Sequence, residues 1–138
     1  MLTVNRFNKM VEIARNLDIP AWDDLVFRHV AFIFKKGKIH TVGWNSNKSH
    51  PMADTWANTH HAEFDAANKY VRMHDDLRKY DAKALSGLDV LVIRLSSNYD
   101  KTLRMSKPCP SCEKYLVDLG ARNIYYSYDE TRFYRLGG

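Results

Sequence analysis

The chain has 138 residues, 45% of them apolar and 27% charged, with a formal net charge of +5. That length favours a single domain over residues 1–138 with a core of its own, and no run of about 18 apolar residues offers a transmembrane helix. Cys109 and Cys112 are the only two cysteines, too few for a disulfide framework, and Met1 to Met10 lacks the apolar stretch of a signal peptide; a cytoplasmic protein that does not engage membranes is expected.

Phe7, Met10, Val11, Ala14 and Leu17 recur at helical spacing and predict a packing helix over Asn5 to Leu17, with Pro20 just beyond as a stop. Val26 to Lys35 and Lys38 to Trp44 read as two strands, joined through Lys36 and Gly37 in a tight hairpin. Asn45 to Thr59 is a polar stretch, and loops of that length in a small domain are more often functional than accidental. His61 to about Arg72 reads as a helix with Asn58 and Thr59 as caps, and Asp75 to Ser86 as a further short helical turn. Asp89 to Leu95 is a buried strand and Ser96 to Pro108 a loop. Pro110 to Leu119 is a helix with proline in its first turn and Gly120 at its end. Asn123 to Tyr128 and Thr131 to Leu136 are strands, with Asp129 and Glu130 turning the chain between them. Alternation of strands and helices argues for a mixed α/β sheet covered by helices. The short last turn requires its two strands to be antiparallel.

Two fragments carry chemistry: His61-Ala62-Glu63 and Pro108-Cys109-Pro110-Ser111-Cys112. Each alone is a weak signal. Together they match the H-x-E and P-C-x-x-C pattern of zinc deaminases, and both fall where helices are predicted to begin. A catalytic zinc site takes three protein ligands and leaves one position for water. His61, Cys109 and Cys112 supply one imidazole and two thiolates, and a helix N-terminus favours thiolate over thiol. Glu63 is then the proton shuttle between water and the base, because ligation would close the open position. Other readings stand beside this one. The C-x-x-C can be a redox pair, which leaves the H-x-E unexplained. A structural zinc site needs a fourth ligand, for which His29, His40, His50, His60 and His74 are candidates. A non-enzymatic zinc module has no use for Glu63.

With Gly43-Trp44-Asn45 and Ser106 to Cys112 added, the chain from about Val26 to Tyr128 resembles the cytidine and deoxycytidylate deaminase superfamily, which also holds tRNA adenosine deaminases and polynucleotide cytidine deaminases. The resemblance implies a cytidine deaminase-like three-layer α/β/α fold with a five-stranded sheet, bound Zn2+, and a substrate site that includes Asn45, Ala62 and Pro108. The stretch Asn47 to Pro51 is similar to a substrate-side loop of small phage and bacterial deaminases, which puts His50 near the nucleotide and, for a phage-encoded copy, the activity in the host cytoplasm. Turn and surface roles are the plain alternatives for Asn45 and His50. The chain lacks the extra upstream metal ligands of many deoxycytidylate deaminases. Its antiparallel end is more like the free-cytidine enzymes, and it lacks the long C-terminal helix of several relatives. The expected substrate is a free pyrimidine nucleotide or nucleoside, turned over by a homo-oligomer. A nucleic-acid substrate is the second hypothesis: the positive charge, Trp44, Trp56, Tyr99 and Tyr128, and the bases Arg94, Lys101, Arg104 and Lys107 beside the cysteine motif would serve it, although core aromatics and a mixed-charge solvated surface account for the same residues.

Overall fold

A computed structural model of the protein describes residues 2–17, 28–45, 61–73, 84–96 and 101–136. The expected loop 46–59 with His50 and Trp56, the caps Asn58 and Thr59, most of the turn 75–86, and His60, His74 and Tyr99 lie outside the described residues. The elements run α1 (Val4–Arg15), β1 (Arg28–Lys35), β2 (Lys38–Trp44), α2 (Ala62–Met73), β3 (Asp89–Leu95), β4 (Leu103–Arg104), α3 (Pro110–Asp118), β5 (Asn123–Ser127) and β6 (Phe133–Arg135). Among the described residues no helix is long and apolar enough to cross a membrane.

The sheet order is β2-β1-β3-β5-β6, with β4 paired to β3. β3 and β5 are parallel and the other pairs antiparallel. The sheet therefore has six strands, not the expected five. The extra one, β4, lies inside the expected loop 96–108; two residues are too few to show an alternating pattern. The last strand is shorter than expected because Asp129 Oδ1 accepts the N–H groups of Thr131 and Arg132, both at 3.0 Å, and holds them in the turn.

Alternation along β1 divides the core. Val30, Phe32 and Phe34 face α1 and join Phe7, Met10, Val11, Leu91, Ile93 and Leu95 in one cluster. Ala31 and Ile33 point the other way, into a cluster with Ala62, Ala66 and Ala67 of α2, Val90 and Val92 of β3, Leu116 of α3 and its C-cap Leu119. One helix thus covers one face and two the other, as the three-layer reading requires. Helix α1 starts at a threonine cap, where Thr3 Oγ1 accepts the Arg6 N–H at 3.2 Å. It ends at Arg15, two residues before the expected Leu17. The β1–β2 hairpin turns through Lys36 and Gly37, and Lys36 takes the left-handed conformation at φ 55°.

α2 lies unusually close to β2. A Cβ on Gly43 would stand 2.2 Å from the Ala66 nitrogen and 2.6 Å from the Ala62 oxygen, so only a bare backbone fits there. Polar contacts fix the helix along this seam. Asp65 Oδ2 accepts the Trp44 N–H at 3.0 Å, Thr41 Oγ1 donates to the Ala66 carbonyl at 3.0 Å, and Lys69 Nζ sits 2.7 Å from Asp65 and 3.3 Å from the Trp44 ring centroid. At the far end of the sheet the buried Asp89 carboxylate accepts from Arg122 Nε at 3.1 Å, Arg122 Nη2 at 2.9 Å and Asn123 Nδ2 at 3.0 Å, tying the starts of the parallel strands together.

Candidate active site

Two helix starts meet at one end of the sheet. The His61 carbonyl accepts the Asp65 N–H at 3.0 Å, which makes His61 the N-cap of α2. The Cys109 carbonyl accepts the Glu113 N–H at 2.9 Å, with Pro110 at the first helical position, so Cys109 caps α3 in the same way. Cys112 is one turn further on and faces the same side. α3 closes at Gly120, whose φ of 85° suits glycine; the Ala121 N–H returns to Leu116 and the Gly120 N–H to Val117, capping the last carbonyls. Phe64 and Tyr115 stack at 4.7 Å and 16° between the two helices, one turn below the caps. Sequence reading missed this stack because its partners are 51 positions apart.

His61 Nδ1 lies 3.1 Å from Cys112 Sγ and 3.9 Å from Cys109 Sγ, and all three donor atoms fall within 4.8 Å of one another. A tetrahedral zinc ion with its usual bond lengths needs donor separations of about 3.5–3.8 Å, so the two measured distances bracket the requirement. The charge pattern agrees. Glu63 is buried and its carboxyl is raised above the ordinary value, chiefly by burial, while its contact with Cys112 opposes the rise. Burial also pushes the Cys112 thiol up, and Glu63 and Cys109 push the same way. Three groups that become anions are thus crowded where water is scarce, an arrangement a divalent cation compensates.

The structure brings His61, Cys109 and Cys112 together and sets the buried Glu63 beside Cys112. Among the described residues, neither His29 nor His40 joins the donor cluster, and His40 lies edge-on to Tyr70 at 5.9 Å instead. Ala62 is fully buried in the core under α2, and Pro108 is buried beside Cys109. Asn45 acts on the backbone of β1, where its Oδ1 accepts the His29 N–H at 2.9 Å and its own N–H returns to the His29 carbonyl at 3.2 Å. The His29 ring is driven down to about 4 by burial first, then by the charges of Arg94 and His61. Of the residues weighed for nucleic acid, Trp44 lies under Lys69, Tyr128 packs on Arg132 at 4.7 Å and on Tyr134 at 5.3 Å, and Lys101 donates to the Arg15 carbonyl at 2.8 Å. Arg104 and Lys107 are exposed and Arg94 is half-buried.

The sequence matches no family model and no curated protein. Solved structures do match. The dCMP deaminase of cyanophage S-TIM5 in apo form aligns over 94% of this chain and 87% of its own at 19% identity and TM-score 0.55. The cytidine deaminase of Burkholderia pseudomallei aligns over 97% of this chain and 91% of its own at 14% identity and TM-score 0.59. The chain has the cytidine deaminase-like fold. The S-TIM5 enzyme in complex with dCMP and dUMP matches as well, over 91% of this chain and 83% of its own at 16% identity and TM-score 0.53. At these identities it is the fold that is shared.

Proposed function

We propose that the protein is a zinc-dependent hydrolase that deaminates a cytosine base in a free nucleotide or nucleoside. The carrying observation is the cluster of one imidazole and two thiols within 4.8 Å, set at two helix caps beside a buried carboxyl. His61 Nδ1, Cys109 Sγ and Cys112 Sγ are the three ligands, and three ligands leave a tetrahedral ion open to water. Zinc supplies, when bound, a nucleophile near neutral pH by lowering the pKa of water.

Glu63 does the proton work. Burial favours its protonated form, which suits a group that must both take and return a proton. It accepts a proton from the attacking water and hands it to the ring nitrogen, then takes the proton of the newly added hydroxyl and gives it to the departing amine, so that water and the amino-bearing base become the oxo base and ammonia. Cys109 and Cys112 stand at the N-terminus of α3, whose positive potential favours thiolate over thiol. The pyrimidine nucleotide reading is supported by the match to an enzyme crystallised with dCMP and dUMP, a pair that differs by this reaction.

The test is a substrate panel. Zinc-loaded protein is incubated with cytidine, deoxycytidine, their monophosphates, and short single-stranded DNA and RNA, and ammonia and product base are measured. Turnover confined to the monomers is expected, and product from the polymers alone would overturn the substrate assignment. Glu63→Gln should lower turnover about 10²- to 10⁴-fold while zinc content stays unchanged. A variant as active as the parent would sink the shuttle role.

A further inference from the structure

The parallel ladder between β3 and β5 ends at Val92 and Tyr126. Two residues on, β3 pairs with β4 instead, through Arg94 with Arg104 and Leu95 with Leu103. One neighbour replaces another along a single strand edge. Two serine hydroxyls occupy this place. Ser106 Oγ donates to the Val92 carbonyl at 2.6 Å and accepts the Ser127 N–H at 3.0 Å. Ser127 Oγ donates to the Arg104 carbonyl at 2.8 Å and accepts the Arg94 N–H at 3.3 Å. The Ser106 N–H donates to the Ser127 carbonyl at 2.9 Å. Both serines are buried. The two hydroxyls also lie 2.9 Å from each other, so each is surrounded by partners from the protein itself.

Only Lys107 and Pro108 separate Ser106 from Cys109, and neither belongs to a helix or strand. Ser106 is therefore the last point at which the sheet grips the chain before it delivers a sulfur. We infer that Ser106 and Ser127 are positioning residues for the metal site. They lock the junction of β3, β4 and β5, and so set where Cys109 enters α3 relative to His61. The inference rests on the metal reading above. It is sharpened by a cost that a plain core contact lacks: an alanine at Ser106 removes hydrogen bonds to the Val92 carbonyl and the Ser127 N–H together. Partners that orient metal ligands are worth about 10- to 100-fold in metal affinity when removed.

The test compares Ser106→Ala, Ser127→Ala and Ser106→Thr with Val11→Ala, which loses buried contacts on the α1 face. Zinc affinity is measured by chelator competition, and backbone amide exchange at Lys107, Cys109, Ser111 and Cys112 is measured on metal-free protein. The alanine variants should bind zinc about 10- to 100-fold more weakly and exchange faster at those amides. Ser106→Thr keeps the hydroxyl and should restore most of both, and Val11→Ala should change neither. Parent-like affinity and exchange in a folded alanine variant overturn the inference, as does an equal loss in Val11→Ala. Should Ser106→Ala fail to fold, Ser127→Ala carries the comparison. A parent protein that binds no zinc refutes the metal reading, and the exchange measurement still decides the positioning role.

Discussion

The two faces of the sheet are built from different materials. Under α1 the strands present Val30, Phe32, Phe34, Leu91, Ile93 and Leu95, large side chains that fill space. Under α2 and α3 the filling includes Ala31, Ala62, Ala66, Ala67 and Ala84, and at Gly43 strand and helix backbones touch. The first face gains stability through buried volume. The second gives up volume for close approach, and close approach lets two helix caps bring His61, Cys109 and Cys112 to one point. The chemistry sits on the face with the smaller side chains for that reason.

The sharpest way to break this division is to damage the bulky face. Leu91→Ala should cost about 2–5 kcal/mol of stability in denaturant unfolding, with zinc affinity per folded molecule unchanged. A fall in affinity would show that the faces are not separate. A pH titration probes the other face through His29, which lies two residues before Ala31 and so shares its side. Its folded value of about 4 lies below the ordinary histidine value, so the fold keeps the neutral ring. The matching stability is fully present above about pH 6.5 and is lost as pH falls toward 4, by about 3 kcal/mol. His29→Gln should flatten the pH slope of unfolding in that window, and an unchanged slope would assign the acid sensitivity elsewhere. Gly43→Ala completes the comparison. Its stability cost, about 1–3 kcal/mol or more because the clash is with helix backbone, should come with weaker zinc binding, because α2 must shift and carry His61 with it. A loss of stability alone would mean that the cap does not follow the helix.

Much of this was readable from the chain. The fragments of the candidate site are local in sequence, H-x-E within three residues and C-x-x-C within four, and each opens a helix marked by proline, glycine or apolar spacing. The hairpin, the buried β3 and the antiparallel end were readable because their patterns extend over several residues. What escaped depends on partners far apart. Ser106 meets Ser127 across 21 positions, β4 takes its identity from Arg94 and Leu95, and Phe64 finds Tyr115 only after both helices are in place. No local periodicity announces a contact of that kind. Asn45 adds a role that its neighbours in sequence do not announce: its Oδ1 accepts from the backbone of β1.

The hairpin at the opposite end of β1 from His29 has a practical consequence. Lys36, rather than Gly37 beside it, holds the left-handed conformation there, and that backbone costs a side-chain-bearing residue about 1 kcal/mol or more. Lys36→Gly should therefore raise the melting temperature slightly with no effect on turnover. The hairpin can therefore be altered for heat tolerance without touching His61, Cys109 or Cys112.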